Sequence, residues 1–156
     1  MSIEARIAEL GYTLPEVPAP AGSYLNYTRS GNLLFLAGGI PPVEDKYQGK
    51  VPTDTTIETA QDAARLITLN RLAVVKDAVG SLDKVKKIVT VNGFVSSEPD
   101  FYAHPAVING CSDLLVEIFG DKGRHSRTAC GVAALPLNVS VEINMVVEVD
   151  DSILAQ

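Results

Sequence analysis

The sequence contains no tryptophan, and aromatic residues make up only 6% of it. Cysteine is almost as scarce. Cys111 and Cys130 are too few and too far apart for a disulfide framework or a zinc knuckle, so both are expected as buried, reduced thiols. No apolar run approaches the ~20 residues that cross a bilayer. The opening "MSIEARIAEL" also carries charges where a leader would have an apolar core, so the expectation is a cytoplasmic chain with no membrane partner. Positive charge is in deficit: 13 lysines and arginines against 19 acidic residues leave a net charge of −6. That balance opposes any role resting on phosphate neutralisation, and makes nucleic acid a poor partner. No His/Cys/Asp cluster has ligand spacing, no phosphate-cradling glycine loop precedes a helix, and no serine lies in a nucleophile elbow. Metal, nucleotide and acyl-enzyme chemistry are therefore disfavoured, and no cofactor is expected.

What remains is a chain of 156 residues, 46% apolar, which fits one domain with one core. Residues 1–19 read as a short helix, with Ile3, Ile7 and Leu10 at helical spacing, followed by a proline-rich connector; residues 20–149 read as the core of the domain. "SYLNYTR" and "LLFLAGG" flank the turn residues Ser30, Gly31 and Asn32 and predict a hairpin. A polar loop over 40–54 follows. Thr55 and Glu58 have capping-box spacing at the start of a long helix that stops before Gly80. "VKKIVTVNGFV" is a strand, and a second helix begins after His104 with Pro105 in its first turn and ends at Gly120. Two closing strands, 126–134 and 138–149, turn around Leu135 and Pro136. The core order is β-β-α-β-α-β-β, an α+β arrangement with two helices on one face of a mixed sheet.

Alternation along the last strand assigns Val139, Val141, Ile143, Met145, Val147 and Val149 to the helices, leaving Ser140, Glu142, Asn144, Val146 and Glu148 on the other face. No third layer is available for that face, so a second subunit is expected to cover it. In the preceding strand the same argument puts Arg127, Ala129, Gly131 and Ala133 outward and Thr128, Cys130 and Val132 in the core. A simple hairpin would set Arg127 opposite Val146, with Glu142 about 13 Å away at ~3.3 Å per residue. Arg127 is the anomaly of this region: a permanently charged guanidinium in an apolar strand needs solvent or an anion, and it prefers bidentate carboxylate or phosphate. An interface salt bridge is the alternative. His125 lies on the same face as Arg127 and could carry protons or favour an anion; otherwise it is a loop histidine without a role.

"SRTACGVAALPLNVSVEI" resembles the C-terminal motif of the Rid family, the YjgF-like reactive intermediate (imine) deaminases also called the endoribonuclease L-PSP family. Arg127, Leu135, Pro136 and Glu142 hold the positions of that motif's arginine, leucine-proline and glutamate. "GSYLNYTRSGNLLFLAGGIP" is similar to the family's tyrosine strand, glycine turn and second strand. The resemblance implies a chorismate-mutase-like fold, a homotrimer with an inner barrel of sheets, and ligand clefts between subunits. It also implies cofactor-independent hydrolysis of enamine/imine intermediates, the 2-imino acids, to 2-oxo acids and ammonia. Arg127 would clamp the substrate carboxylate, Glu142 would hold or activate water, and Tyr24 would border the cleft with its hydroxyl. Ala37, Gly38 and Ala129 would contribute backbone contacts. Where many members carry Ser-Gly-Gln, this chain has "AGG", and its extra length marks a divergent branch. A non-catalytic trimer that binds small acids and an endoribonuclease or translation inhibitor are the competing readings.

Overall fold

In the computed structural model, which describes residues 1–150, the chain opens with helix α1 (Ile3–Glu9). The Ser2 hydroxyl caps it by accepting the Ala5 N–H, and buried Ile7 anchors it to the core. Arg6 Nε donates to the Glu117 carbonyl at 3.1 Å, and Glu4 accepts the Leu82 N–H at 2.7 Å. The leading helix is thus stitched to the body of the protein. Strands β1 (Tyr27–Ser30) and β2 (Leu33–Leu36) form the expected antiparallel hairpin, with Gly31 at φ 59° supplying the left-handed turn residue.

Helix α2 (Ile57–Val79) is capped by Thr56, one residue later than the spacing predicts: its hydroxyl accepts the Thr59 N–H at 3.1 Å. Thr55 is instead buried and donates to the Gln48 carbonyl at 3.0 Å, tying the long loop to the helix start. Strand β3 (Val85–Ser96), helix α3 (His104–Phe119), strand β4 (Ser126–Val132) and strand β5 (Val141–Val149) complete the expected order.

The sheet runs β1-β2-β5-β3-β4. β3 and β4 are parallel neighbours, joined by the α3 crossover, and the other pairings between these five strands are antiparallel. This corrects the simple hairpin. After β4 the chain passes Pro136–Asn138, where Leu137 and Asn138 take φ of 56° and 59°, and β5 inserts between β2 and β3. Its central place suits its composition, since Val141, Ile143, Met145, Val147 and Val149 are all fully buried beneath the helices.

The faces of β4 are also the reverse of the expectation. Arg127, Ala129 and Gly131 pair in register with Val91, Gly93 and Val95, which face the helices, whereas Thr128 and Cys130 pair with Asn92 and Phe94 on the open face. Cys130 is accordingly half-buried on the open face, while Cys111 is buried as expected. Alternation along β4 groups these residues correctly, but which group faces the helices is decided by the place of β4 at the sheet edge. There α3 offers polar side chains and solvent is close.

Helices α2 and α3 pack on one face, placing Ile67, Leu72 and Val75 of α2 and Ile108, Cys111 and Leu115 of α3 over the sheet. They approach closely at Gly110, where a Cβ would lie 2.3 Å from the Gln61 carbonyl oxygen. Gly110→Ala should therefore force the helices apart. Overpacking of ~1–3 kcal/mol outweighs the ~1 kcal/mol propensity gain, so a lowered urea midpoint is expected. A midpoint at or above wild type would show that the helices separate without cost.

Candidate functional site

The β2 to β5 ladder is irregular where it matters. Phe35 pairs with Val146, and the next bridge is Gly39 with Ile143, so four steps on the β2 side oppose three on β5. The extra residue is a β-bulge at Ala37–Gly39. It closes one side of an open hollow of about 450 Å³ lined by Tyr24, Thr28, Phe35, Ala37, Gly38 and Glu142. Tyr24, Ala37, Gly38 and Glu142, four of the residues picked out from the sequence, therefore converge. Tyr24 is half exposed, and its hydroxyl oxygen accepts the Ala21 N–H at 3.3 Å.

Two glycines of the bulge make the room. A Cβ on Gly38 would lie 2.9 Å from Glu142 Oε2 on the open face, and one on Gly39 would lie 2.6 Å from Arg71 Nε on the helix face. Burial raises the Glu142 carboxyl above the ordinary glutamate range, and the Arg71 charge pulls in the opposite direction. Arg71 is only 3% exposed. Its Nη1 donates to the Ala37 carbonyl at 2.8 Å, and its Nε and Nη2 donate to Asn70 Oδ1 at 2.9 and 2.6 Å. Burial lowers its pKa, while Tyr24 and Glu142 act to raise it. The sequence reading missed Arg71. The signal was present: it interrupts the apolar stripe of α2 between Ile67 and Val75, each four residues away.

Arg127 and His125 form a second cluster on β4 and α3. Arg127 Nη1 donates to Asn109 Oδ1 at 2.7 Å and to Ser112 Oγ at 3.2 Å. Ser112 Oγ lies 2.8 Å from His125 Nε2, and His125 Nδ1 lies 2.6 Å from the Gly123 carbonyl. A carbonyl can only accept, which assigns the proton to Nδ1 and leaves Nε2 of neutral His125 to accept the Ser112 hydroxyl. Ser112 can then accept from Arg127 as well. Asn109 and Ser112 are further residues this cluster adds; nothing in the spacing alone separated Asn109 from a solvated helix position. Arg127 Nε and Nη2 make no hydrogen bond among the described residues. Ala129 lies on the same face of β4, packed against the core.

Within one chain the two clusters do not meet. Phe94 is in register with both Glu142 and Cys130, whereas Arg127 is in register with Val91, three residues along. At ~3.3 Å per residue and ~4.8 Å per strand, roughly 10 Å along and 10 Å across separate them. They also lie on opposite faces. Among the described residues no three His, Cys, Asp or Glu side chains converge to hold a metal, and no helix is long and apolar enough to cross a membrane.

Residues 4–149 match the family pattern described as "YjgF/chorismate_mutase-like, putative endoribonuclease". The chain is 38% identical over 152 residues to protein TCP17 of Trypanosoma cruzi, covering 96% of this chain and 95% of that one. It is 31% identical to a 2-iminobutanoate/2-iminopropanoate deaminase of Dermatophagoides farinae, over 87% of this chain and 93% of the relative. Among solved structures, Atu1372 of Agrobacterium tumefaciens, a protein of unknown function, superposes with a TM-score of 0.87 at 43% identity, covering 96% of this chain and 92% of the other. Escherichia coli TdcF with bound serine superposes with a TM-score of 0.59 at 25% identity, over 86% and 94% of the two chains.

The raised pKa of Glu142 has a consequence for stability. The native state holds this proton more tightly than the unfolded chain, so the contribution of Glu142 is favourable below the unfolded value of ~4.3 and is lost as pH rises through the folded value. Glu142→Gln should stabilise the protein at neutral pH, by under about 1 kcal/mol because the carboxylate remains partly hydrated. The gain should vanish below about pH 4. Thermal melts of both proteins across that range check it, and a variant less stable at neutral pH would contradict it.

Proposed function

Because the chain belongs to the YjgF/chorismate mutase-like family, we propose that it hydrolyses small 2-imino acids to 2-oxo acids and ammonia, at clefts between the subunits of a cytoplasmic homotrimer. The observation that carries this reading is Arg127: a guanidinium anchored through Nη1 by Asn109 and Ser112, with Nε and Nη2 left for a carboxylate. A pair of parallel charge-assisted bonds would orient the substrate without any cofactor. The name of the mite relative, an iminobutanoate deaminase, and the serine bound to TdcF support a small carboxylate-bearing guest.

The chemistry needs little else. A protonated imine is already electrophilic at carbon, so water held by Glu142 adds there, forming the C–O bond as Glu142 takes the proton. That proton passes to the nitrogen; as the C–N bond breaks and ammonia leaves, the hydroxyl proton returns to Glu142 and the carbonyl of the 2-oxo acid forms, and Glu142 then yields the proton to the departing ammonia. A carboxylate held above the ordinary range by burial is better matched to this exchange near neutral pH than a fully solvated one. The backbone of Ala37 and Gly38 would border the substrate, with Tyr24 closing the outer side. Since Arg127 and Glu142 lie on opposite faces of one chain's sheet, the reading requires the arginine of one copy to meet the glutamate of another. The exposed outer edge of β4 and the half-exposed Phe35, Val146 and Cys130 on the open face are surfaces such an assembly would cover.

Ammonia and 2-oxo acid release from serine or threonine plus a pyridoxal eliminase should be accelerated by the protein. Arg127→Ala should lower kcat/KM by roughly 100-fold or more, and Arg127→Lys should not restore it, because an ammonium cannot reproduce the two-point contact. Full acceleration by Arg127→Ala would refute the carboxylate clamp. Thermal stabilisation by 2-oxo acids without turnover would favour a binding trimer instead.

A further inference from the structure

We propose that Arg71 is a positioning residue for the hollow: from behind the β2 bulge, its guanidinium fixes the Ala37 carbonyl and presents its charge to the Glu142 carboxylate on the other side of the strand. Ala37, Gly38 and Gly39 bring no polar side chain to the hollow, so the polarity of this one wall must come from backbone groups and from what lies behind them. The Ala37 N–H is bonded to the Asn26 carbonyl at 2.8 Å, and the Ala37 carbonyl to Arg71. Gly39 is bonded to Ile143 through both its N–H and its carbonyl, at 2.8 and 3.1 Å. Among the described residues, Gly38 alone of the three has no backbone hydrogen bond. The wall is therefore pinned on either side of Gly38, whose own N–H and carbonyl have no backbone partner among the described residues.

Burying a guanidinium is costly unless its charge is used. Arg71 is bonded only to neutral acceptors, and no carboxylate lies within ion-pair distance of it among the described residues. Gly39 admits the guanidinium to one side of the strand and Gly38 admits the Glu142 carboxylate to the other, so a single thickness of backbone separates the two charges. The remaining groups that face Glu142 are Tyr24, from the segment before β1, and Phe94 of β3, with Cys130 of β4 beyond it in the same row. None of these is a cation. Arg71 is thus the group that can favour the glutamate anion, and each of the two raises the charged form of the other. The activity side of this inference rests on the proposed reaction; the electrostatic side does not.

The test is an NMR titration of the labelled full chain from about pH 3 to about pH 9, following the Glu142 carboxyl carbon and the Arg71 Nε–H. Both signals should move with one midpoint in the wild type, and Glu142→Gln should abolish the movement at Arg71. In Arg71→Met the Glu142 midpoint should rise, and in Arg71→Lys it should stay nearer the wild-type value. An Arg71 Nε–H that does not respond to Glu142, or equal Glu142 midpoints in wild type and Arg71→Met, would overturn the inference. If Arg71→Met does not fold, the paired wild-type curves decide. In the imine assay, Arg71→Met should shift the acid limb of kcat upward, an approximately tenfold loss on that limb with KM changed less than about twofold. A wild type that titrates as expected yet releases no ammonia would refute the proposed reaction and leave the role of Arg71 standing.

Discussion

The arrangement of the molecule depends on the insertion of β5 between β2 and β3. A strand of alternating Val, Ile and Met beneath two helices is most stable with a paired neighbour on each side, and the centre of the sheet provides both. That placement drives β4 to the edge and aligns Glu142 with the bulge at the end of β2. It also fixes the separation of Arg127 from Glu142. The distance between the two charges most suggestive of chemistry is a consequence of core packing.

Each charge is then prepared locally. On the edge strand, Arg127 is oriented by Asn109 and Ser112, and Ser112 is oriented in turn by His125, whose other nitrogen is committed to the Gly123 carbonyl. This chain of bonds fixes a flexible side chain in advance, which would lower the entropy lost in the anion binding proposed for it. At the bulge, paired glycines replace side-chain bulk with close approach, admitting Glu142 from one face and Arg71 from the other. One cluster offers unused donors to an anion, and the other offers a partly desolvated carboxylate. Such complementary halves suit a site assembled between copies of the chain.

Much of the fold was legible in the residues. The periodicity of α2 and α3, the glycines after them and the alternation of β5 all correspond to observed elements. The position of β4 was not legible, because alternation tells which residues share a face but not which strand is the neighbour. Arg127 was placed outward by alternation together with the small residues of β4, and the position of that strand at the edge beside β3 removed the reason for that assignment. Tyr24, Ala37, Gly38 and Glu142 could be named from the resemblance and do converge. Arg71 was overlooked because an arginine on a helix is ordinarily solvated. Only the paired approach of Gly38 and Gly39 reveals why this one is buried.

In the proposed reaction, one copy's Arg127 and another's Glu142 serve the same cleft. Co-expression of Arg127→Ala and Glu142→Gln chains in equal amounts tests it most directly, with ammonia release as the readout. If each cleft draws its arginine and glutamate from different copies, random assembly leaves about a quarter of the clefts with both residues intact, and the mixture should recover about that fraction of wild-type activity. A mixture no more active than the two inactive parents would contradict the account.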